Sequence, residues 1–129
     1  MIEIQSLYKA FGAVKAVNGV SFTASDGQIT GLLGPNGAGK TTTLRMLYTL
    51  MKPDAGAIRV DGLDVATDPS GVRRRLGVLP DARGLYKRLT ARENIEYFGR
   101  LQGMDEASLQ RRTDGLIEAL NLDEIAARR

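Results

Sequence analysis

Gly34-Pro35-Asn36-Gly37-Ala38-Gly39-Lys40-Thr41 sets glycines, a lysine and a hydroxyl residue in the order G-x-x-x-x-G-K-[ST], without a departure. These types at this spacing suit the holding of a polyphosphate. Glycines let the main chain curl so that successive N–H groups converge into an anion-binding nest. A helix starting at the end of the loop adds its own unsatisfied N–H groups and the positive end of its dipole. Lys40 reaches the β- and γ-phosphates as a point charge, where it also offsets charge on a transferring phosphoryl group. The Thr41 hydroxyl is a suitable Mg²⁺ ligand. The motif implies a nucleoside triphosphate site.

Such a loop needs a strand before it and a helix after it. "QITGLL" (28–33) is short and mostly apolar, which predicts a strand covered on both faces that enters the loop directly. Beyond Lys40, the spacing of Leu44, Leu47, Tyr48 and Met51 predicts a helix ending before Pro53. Upstream, "IEIQSL" (2–7) alternates as a half-buried strand does. "VNGVSFTAS" (17–25) reads as a second strand, followed by an Asp26-Gly27 turn. Downstream, 56–65 predicts a hairpin about Asp61-Gly62, and "LGVL" (76–79) a short buried strand stopped by Pro80. Thr90 and Glu93 have capping-box spacing and open a helix with Ile95, Phe98 and Leu101 inward. A further helix over 106–120 turns Leu109, Leu116, Ile117 and Leu120 inward. The pattern is α/β, with strands early and helices late.

Composition narrows the partners. The chain has 129 residues, 43% hydrophobic and 26% charged, with a net charge of +3; these are ordinary values for a globular protein. Residues 1–60 hold six Lys/Arg against three Asp/Glu, while 61–129 hold twelve of each, so the positive surplus lies with the phosphate loop. No basic stripe of the kind a duplex binder needs emerges, and nucleic acid is not an expected partner. Arg73-Arg74-Arg75 point in different directions on a helix and read as solvated surface. The chain has no Cys and no His, which excludes disulfides and makes transition-metal chemistry improbable. "MIEIQSLYK" has no signal-peptide pattern, and no apolar run approaches the ~20 residues of a membrane span, so any membrane involved is crossed by another chain.

The stretch "LYKAFGAVKAVNGVSFTASDGQITGLLGPNGAGKTTTLRMLYTLMKPDAGAIRVDG" (7–62) resembles the start of an ATP-binding subunit of an ABC transporter. The resemblance implies a P-loop NTPase fold: a RecA-like core with an antiparallel β subdomain and the start of a helical subdomain, incomplete. Residues 1–80 then correspond to the β subdomain and P-loop core, and 81–129 to the Q-loop region and the opening of the helical subdomain. ATP with Mg²⁺ is the implied ligand, with Gly34 to Thr41 as its cradle and Thr42 beside the α-phosphate. Phe11 lies 23 residues ahead of Gly34, where this family stacks an aromatic ring on adenine. Spacing alone reads Phe11 as core, and the resemblance turns it into a base platform, worth ~1–3 kcal/mol. "LGVLPDARGLYKRLTARENIEYFGRLQGM" (76–104) is similar to the Q-loop and the opening of the helical subdomain, nearest the ABC-2 branch of sodium-extrusion and drug or lipid exporters. Implied partners are a membrane-spanning subunit, whose coupling helix would meet 82–100, and a second ATP-binding subunit in a head-to-tail dimer. The implied location is cytoplasmic, peripheral at the inner face of the cell membrane.

Two departures from that family bear on chemistry. Asp81 stands where the Q-loop places a Gln; its carboxylate suits Mg²⁺ but repels a γ-phosphate. No stretch matches the signature loop, the acidic strand that activates water, or the switch His. "AIRVD", "ALNLDE" and "GVLPD" each spoil the acidic-strand pattern, by a turn, an internal Asn and a Pro respectively. "DARG" (81–84) has a GTPase D-x-x-G look, yet no N-K-x-D or T-K-x-D exists to read guanine. The expectation is a motor subunit by family, whose 129 residues by themselves bind ATP without meaningful turnover. The alternative is a stand-alone nucleotide sensor without hydrolysis.

Overall fold

A computed structural model describes residues 1–79 and 84–128. The chain divides into two compact units, Met1–Leu79 and Pro80–Arg129, each built on different physics.

The first unit starts with a hairpin of β1 (Ile2–Phe11) and β2 (Val14–Ala24), both longer than the alternation of 2–7 and 17–25 predicts. The turn between them is tight, with Gly12 at φ +57°. Strand β1 does not alternate cleanly. Ser6 sits at φ +45°, and the pairing register slips there against both neighbouring strands. This bulge lets Ile4 and Leu7, three positions apart, both face the core at 2% and 0% exposure. Strand β3 (Ala55–Val60) pairs antiparallel with the other edge of β1. It turns through Asp61 (φ +48°) and Gly62 (φ +79°) into β4 (Leu63–Asp64), the two-residue turn that the Asp-Gly pair predicts. The sheet order is β2-β1-β3-β4.

Helix α1 (Lys40–Leu47) lies between β2 and β3 in the chain and buries Thr43, Met46 and Leu47. It ends well before Pro53, because Thr49 takes a left-handed φ of +64°. With Ile4, Leu7, Val17, Ile58, Val60, Val65 and Val72, Met46 and Leu47 make one core. Val72 comes from α2 (Pro69–Arg75), an element the arginine run obscures. Asp68 caps this helix by accepting from the Gly71 N–H at 2.8 Å, and Pro69 follows it at the first helical position. Two of the three arginines have partners: Arg73 donates to the Thr49 hydroxyl at 2.8 Å, and Arg75 lies 3.4 Å from Asp61.

Two expected strands are not formed. Residues 28–33 carry no ladder, and Ile29 and Leu33 are exposed at 104% and 92%. Residues 76–79 likewise lie outside any strand, with Leu79 98% exposed. Apolar sequence favours a buried strand, but a strand exists only where another supplies hydrogen-bond partners. Among the described residues none lies alongside either segment.

In the second unit, α3 (Ala91–Leu101) begins with the expected capping box: Thr90 accepts from the Glu93 N–H, and Glu93 accepts from the Thr90 N–H. A turn through Gly103 leads to α4 (Glu106–Ala119), capped by Asp105 on the Ser108 N–H at 2.9 Å. Arg92 reaches Asp114 at 2.7 Å across the pair, and Gly99 lets Leu109 pack close, since a Cβ there would lie 2.2 Å from its Cδ1. The buried positions among the described residues of this unit are Asn94, Leu109, Thr113, Ile117 and Ala126. Phe98, Leu101, Leu116 and Leu120, expected inward, are 44%, 64%, 44% and 60% exposed. Helical period marks a stripe, and only part of that stripe has a neighbour.

Thr113 is fully buried, and among the described residues its hydroxyl has no hydrogen-bond partner. A buried hydroxyl without a partner costs desolvation that an isosteric methyl does not. Thr113→Val is therefore expected to stabilise the fold by about 1 kcal/mol in denaturant titrations. A loss of similar size would show that the hydroxyl is engaged.

Candidate functional site

The loop Gly34–Thr41 runs into α1, whose first helical residue is Lys40 and whose cap position is Gly39. Gly37 and Gly39 sit at φ +84° and +85°, a region that glycine enters without the Cβ penalty other residues meet. They tighten the chain so that Ala38 N–H reaches the Pro35 carbonyl at 3.2 Å. No side chain caps α1, and no acidic residue lies in its first turn. The N-terminal dipole is thus left uncompensated at the place where an anion would be held.

Lys40 folds back across this turn. Its Nζ donates to the Gly34 carbonyl and, at 2.7 Å, to the Pro35 carbonyl. The ammonium is held over the loop by two carbonyls on an exposed segment, partners that a phosphate oxygen would replace. Pro35, Asn36, Gly37, Ala38 and Thr41 are exposed, while Thr42 is half-buried beside buried Thr43.

The two positive-φ glycines do different jobs. Around Gly37 a Cβ would meet nothing within 4 Å, whereas at Gly39 it would lie 2.1 Å from the Ala16 carbonyl oxygen and 3.2 Å from Val17 Cγ2. Gly39 is where the loop rests on β2. Spacing gives no sign of this contact, because Ala16 and Gly39 are 23 residues apart.

Phe11 sits at the tip of the β1–β2 hairpin, 49% exposed, so the core reading that spacing favours is overturned. Lys9 Nζ lies 5.8 Å from its ring centroid, within cation–π range. The same strand β2 that pairs with Phe11 through Val14 carries Ala16 and Val17 under Gly39. Asp81 lies outside the described residues. Asn94 is a residue the sequence reading passes over. Its amide nitrogen donates to the carbonyls of Tyr86, Leu89 and Thr90, and its oxygen accepts from the Tyr86 N–H. That network fixes a cavity of about 550 Å³ lined by Leu85, Tyr86, Lys87, Leu89 and Ala91. Tyr86 also meets Tyr97 edge-on at 4.9 Å.

Comparison with known proteins agrees with this geometry. Residues 17–129 match the ABC transporter family. The chain is 45% identical over 117 residues to the ABC transporter ATP-binding protein NatA of Bacillus subtilis (strain 168), covering 90% of this chain and 48% of that protein. It is 42% identical over 123 residues to the daunorubicin/doxorubicin resistance ATP-binding protein DrrA of Streptomyces peucetius, covering 95% and 37%. A solved ATP-binding subunit of an ABC transporter superposes with a TM-score of 0.83 at 31% identity, over 98% of this chain and 52% of that one. A dimeric ATP-binding cassette bound to ADP and Pi after hydrolysis matches at a TM-score of 0.82 and 22% identity, which speaks to the fold alone. The chain spans about half or less of the length of the curated relatives it matches. A P-loop entering an uncapped helix, an aromatic residue at the hairpin tip ahead of it, and a family match from Val17 onward agree: the chain belongs to the ABC transporter family, in its ATP-binding part.

Proposed function

We propose that this chain binds Mg·ATP as part of the ATP-binding subunit of an exporter. The loop over the uncapped start of α1 carries the reading, because it offers N–H groups and one ammonium and no competing carboxylate. Lys40 exchanges its two carbonyls for β- and γ-phosphate oxygens, Thr42 lies by the α-phosphate, and Phe11 offers its exposed face to adenine. Among the described residues no cluster of three His, Cys, Asp or Glu could hold a metal ion. Mg²⁺ would arrive with the nucleotide, which would supply most of its oxygen ligands, with the Thr41 hydroxyl as a further one. The ion supplies charge neutralisation on the phosphates. Asp81 takes the Q-loop position, where its carboxylate adds a ligand for Mg²⁺.

Residues 1–80 serve as the β subdomain and P-loop core, and 81–129 as the Q-loop region and the start of the helical subdomain. A second ATP-binding subunit packs head-to-tail against the first, and a membrane-spanning subunit docks on 82–100. The apolar cavity beside Tyr86 and the exposed Phe98 support that docking face. Among the described residues no helix is long and apolar enough to cross a membrane. The ABC-2 likeness supports export of Na⁺ or of a drug or lipid, with the subunit peripheral at the cytoplasmic face of the membrane.

For residues 1–129 alone, the reading is binding without turnover, since phosphoryl transfer to water needs a positioned water-activating group besides the cradle. A calorimetric titration with Mg·ATP is expected to show saturable binding, and a steady-state phosphate-release assay no rate above buffer. Phosphate release that requires both Mg²⁺ and Lys40 would refute the second half; absence of binding by folded protein would refute the first.

A further inference from the structure

We propose that Asp54 is a positioning residue for the adenine platform, clamping the Phe11 hairpin tip through the Lys9 ammonium and the Ala10 N–H. This rests on the reading of Phe11 as the base-stacking ring. The ladder between β1 and β3 ends at Tyr8 and Ala55. Beyond it, Lys9, Ala10 and Phe11 keep β2 on one edge, while the other edge has run out of strand.

Asp54 takes over at that point. Its N–H donates to the Tyr8 carbonyl at 2.9 Å, and its Oδ2 accepts from Ala10 N–H at 2.8 Å. The carboxylate therefore stands in for the next rung of the ladder. Its Oδ1 accepts from Lys9 Nζ at 2.6 Å, which holds the ammonium where it lies 5.8 Å from the Phe11 ring centroid. The pairing with β2 shifts register between Lys9 and Ala10, and the Lys9 ammonium still lies over the Phe11 ring. Beside the clamp is a cavity of about 210 Å³ lined in part by Lys15, Val17 and Asn18. The Asp54 carboxyl is held below the ordinary carboxylate range, first by the Lys9 hydrogen bond and then by the Ala10 N–H.

Asp54 also closes the segment that leaves α1. One residue thereby links the exit of the phosphate-loop helix to the ring that would read the base. In the absence of the carboxylate, the tip visits conformers in which Phe11 is not seated, and affinity falls in proportion to the seated fraction.

The test combines two readouts on the intact protein. Without ligand, amide exchange at Ala10 is expected to accelerate at least about tenfold in Asp54→Ala, and unchanged exchange overturns the clamp whatever the ligand. With Mg²⁺ present, Asp54→Ala is expected to weaken ATP about fivefold and to leave inorganic tripolyphosphate, which has no base, within about twofold. In a Phe11→Ala background the same change is expected to cost ATP almost nothing, because the ring through which it acts is gone. Equal losses for ATP and tripolyphosphate, or an undiminished loss in the Phe11→Ala background, overturn the proposal. Lys9→Met, which keeps the carboxylate and its Ala10 bond, is expected to give a smaller loss of the same selectivity and guards against a misfolded Asp54→Ala. Should Phe11→Ala itself leave ATP affinity unchanged while Ala10 exchange responds to Asp54, the clamp stands as structure and the base-stacking reading, with the proposal on it, falls.

Discussion

Replacing Gly39 with Ala is expected to lower the melting temperature by roughly 15 °C and to abolish Mg·ATP binding, while Gly37→Ala, at nearly the same φ, costs only a few degrees. The comparison separates two effects that a glycine motif usually confounds. Both glycines hold left-handed φ values, +84° and +85°, and either Ala pays about 1–2 kcal/mol for that conformation. At Gly37 the new methyl enters open space. At Gly39 it would enter the Ala16 carbonyl at 2.1 Å, with Val17 Cγ2 at 3.2 Å. Neither obstacle can swing away, since Ala16 is backbone within β2 and Val17 is buried at 3% exposure. The loop must lift off the strand, taking the first turn of α1 with it and disturbing Met46 and Leu47 in the core. A total of about 3 kcal/mol is the expected scale for a strained, overpacked position. Thermal unfolding of both variants measures the difference, and titration with Mg·ATP shows whether the loop survives. Equal melting temperatures for Gly39→Ala and Gly37→Ala would remove the strand contact as the reason for the glycine.

That contact also shows where sequence reading stops. The phosphate loop, the Asp61-Gly62 turn and the Thr90/Glu93 box are legible because each is settled within a few residues by φ preference or a local hydrogen bond. The Asp68-Pro69 signal for α2 is equally local, and the more conspicuous arginine run beside it hides it. The features that stay illegible depend on neighbours distant in sequence. Residues 28–33 have the composition of a buried strand, but composition cannot supply the adjacent strand that makes it one. Ser6 breaks the alternation of β1 through a bulge matched to Gly56, where a Cβ would lie 2.2 Å from the Ser6 carbonyl oxygen. Asn94 carries no signal in its sequence neighbourhood, yet it is 6% exposed and satisfies the backbone of 86–90. The chemistry of the site is local and therefore visible; the platform under Gly39 and the clamp at Asp54 are not.

Lys40→Met is expected to weaken Mg·ATP by about 30- to 150-fold while leaving the melting temperature within about two degrees of the parent. The ammonium is the one side-chain cation placed on the loop itself, and its bonds in the free protein go to the Gly34 and Pro35 carbonyls. Both carbonyls lie on an exposed segment, so water takes over when the amine is gone and little stability is lost. Bound nucleotide is different: phosphate oxygens converging on the nest are charged, and a charge-assisted hydrogen bond to them is worth about 2–3 kcal/mol more than solvent offers. Methionine keeps the length and apolar stem of the side chain, which makes the lost charge the variable. The same logic predicts that inorganic tripolyphosphate loses affinity in parallel with ATP, since the proposed partner of Lys40 is the phosphates and not the base. Calorimetry with both ligands, alongside thermal unfolding, measures all three quantities. Undiminished binding of ATP by Lys40→Met would place the triphosphate elsewhere on the molecule. A matching fall in melting temperature would instead make Lys40 a structural residue of the loop. Gly39 gives the loop its place on β2, and Lys40, the next residue, carries the ammonium proposed to meet phosphate.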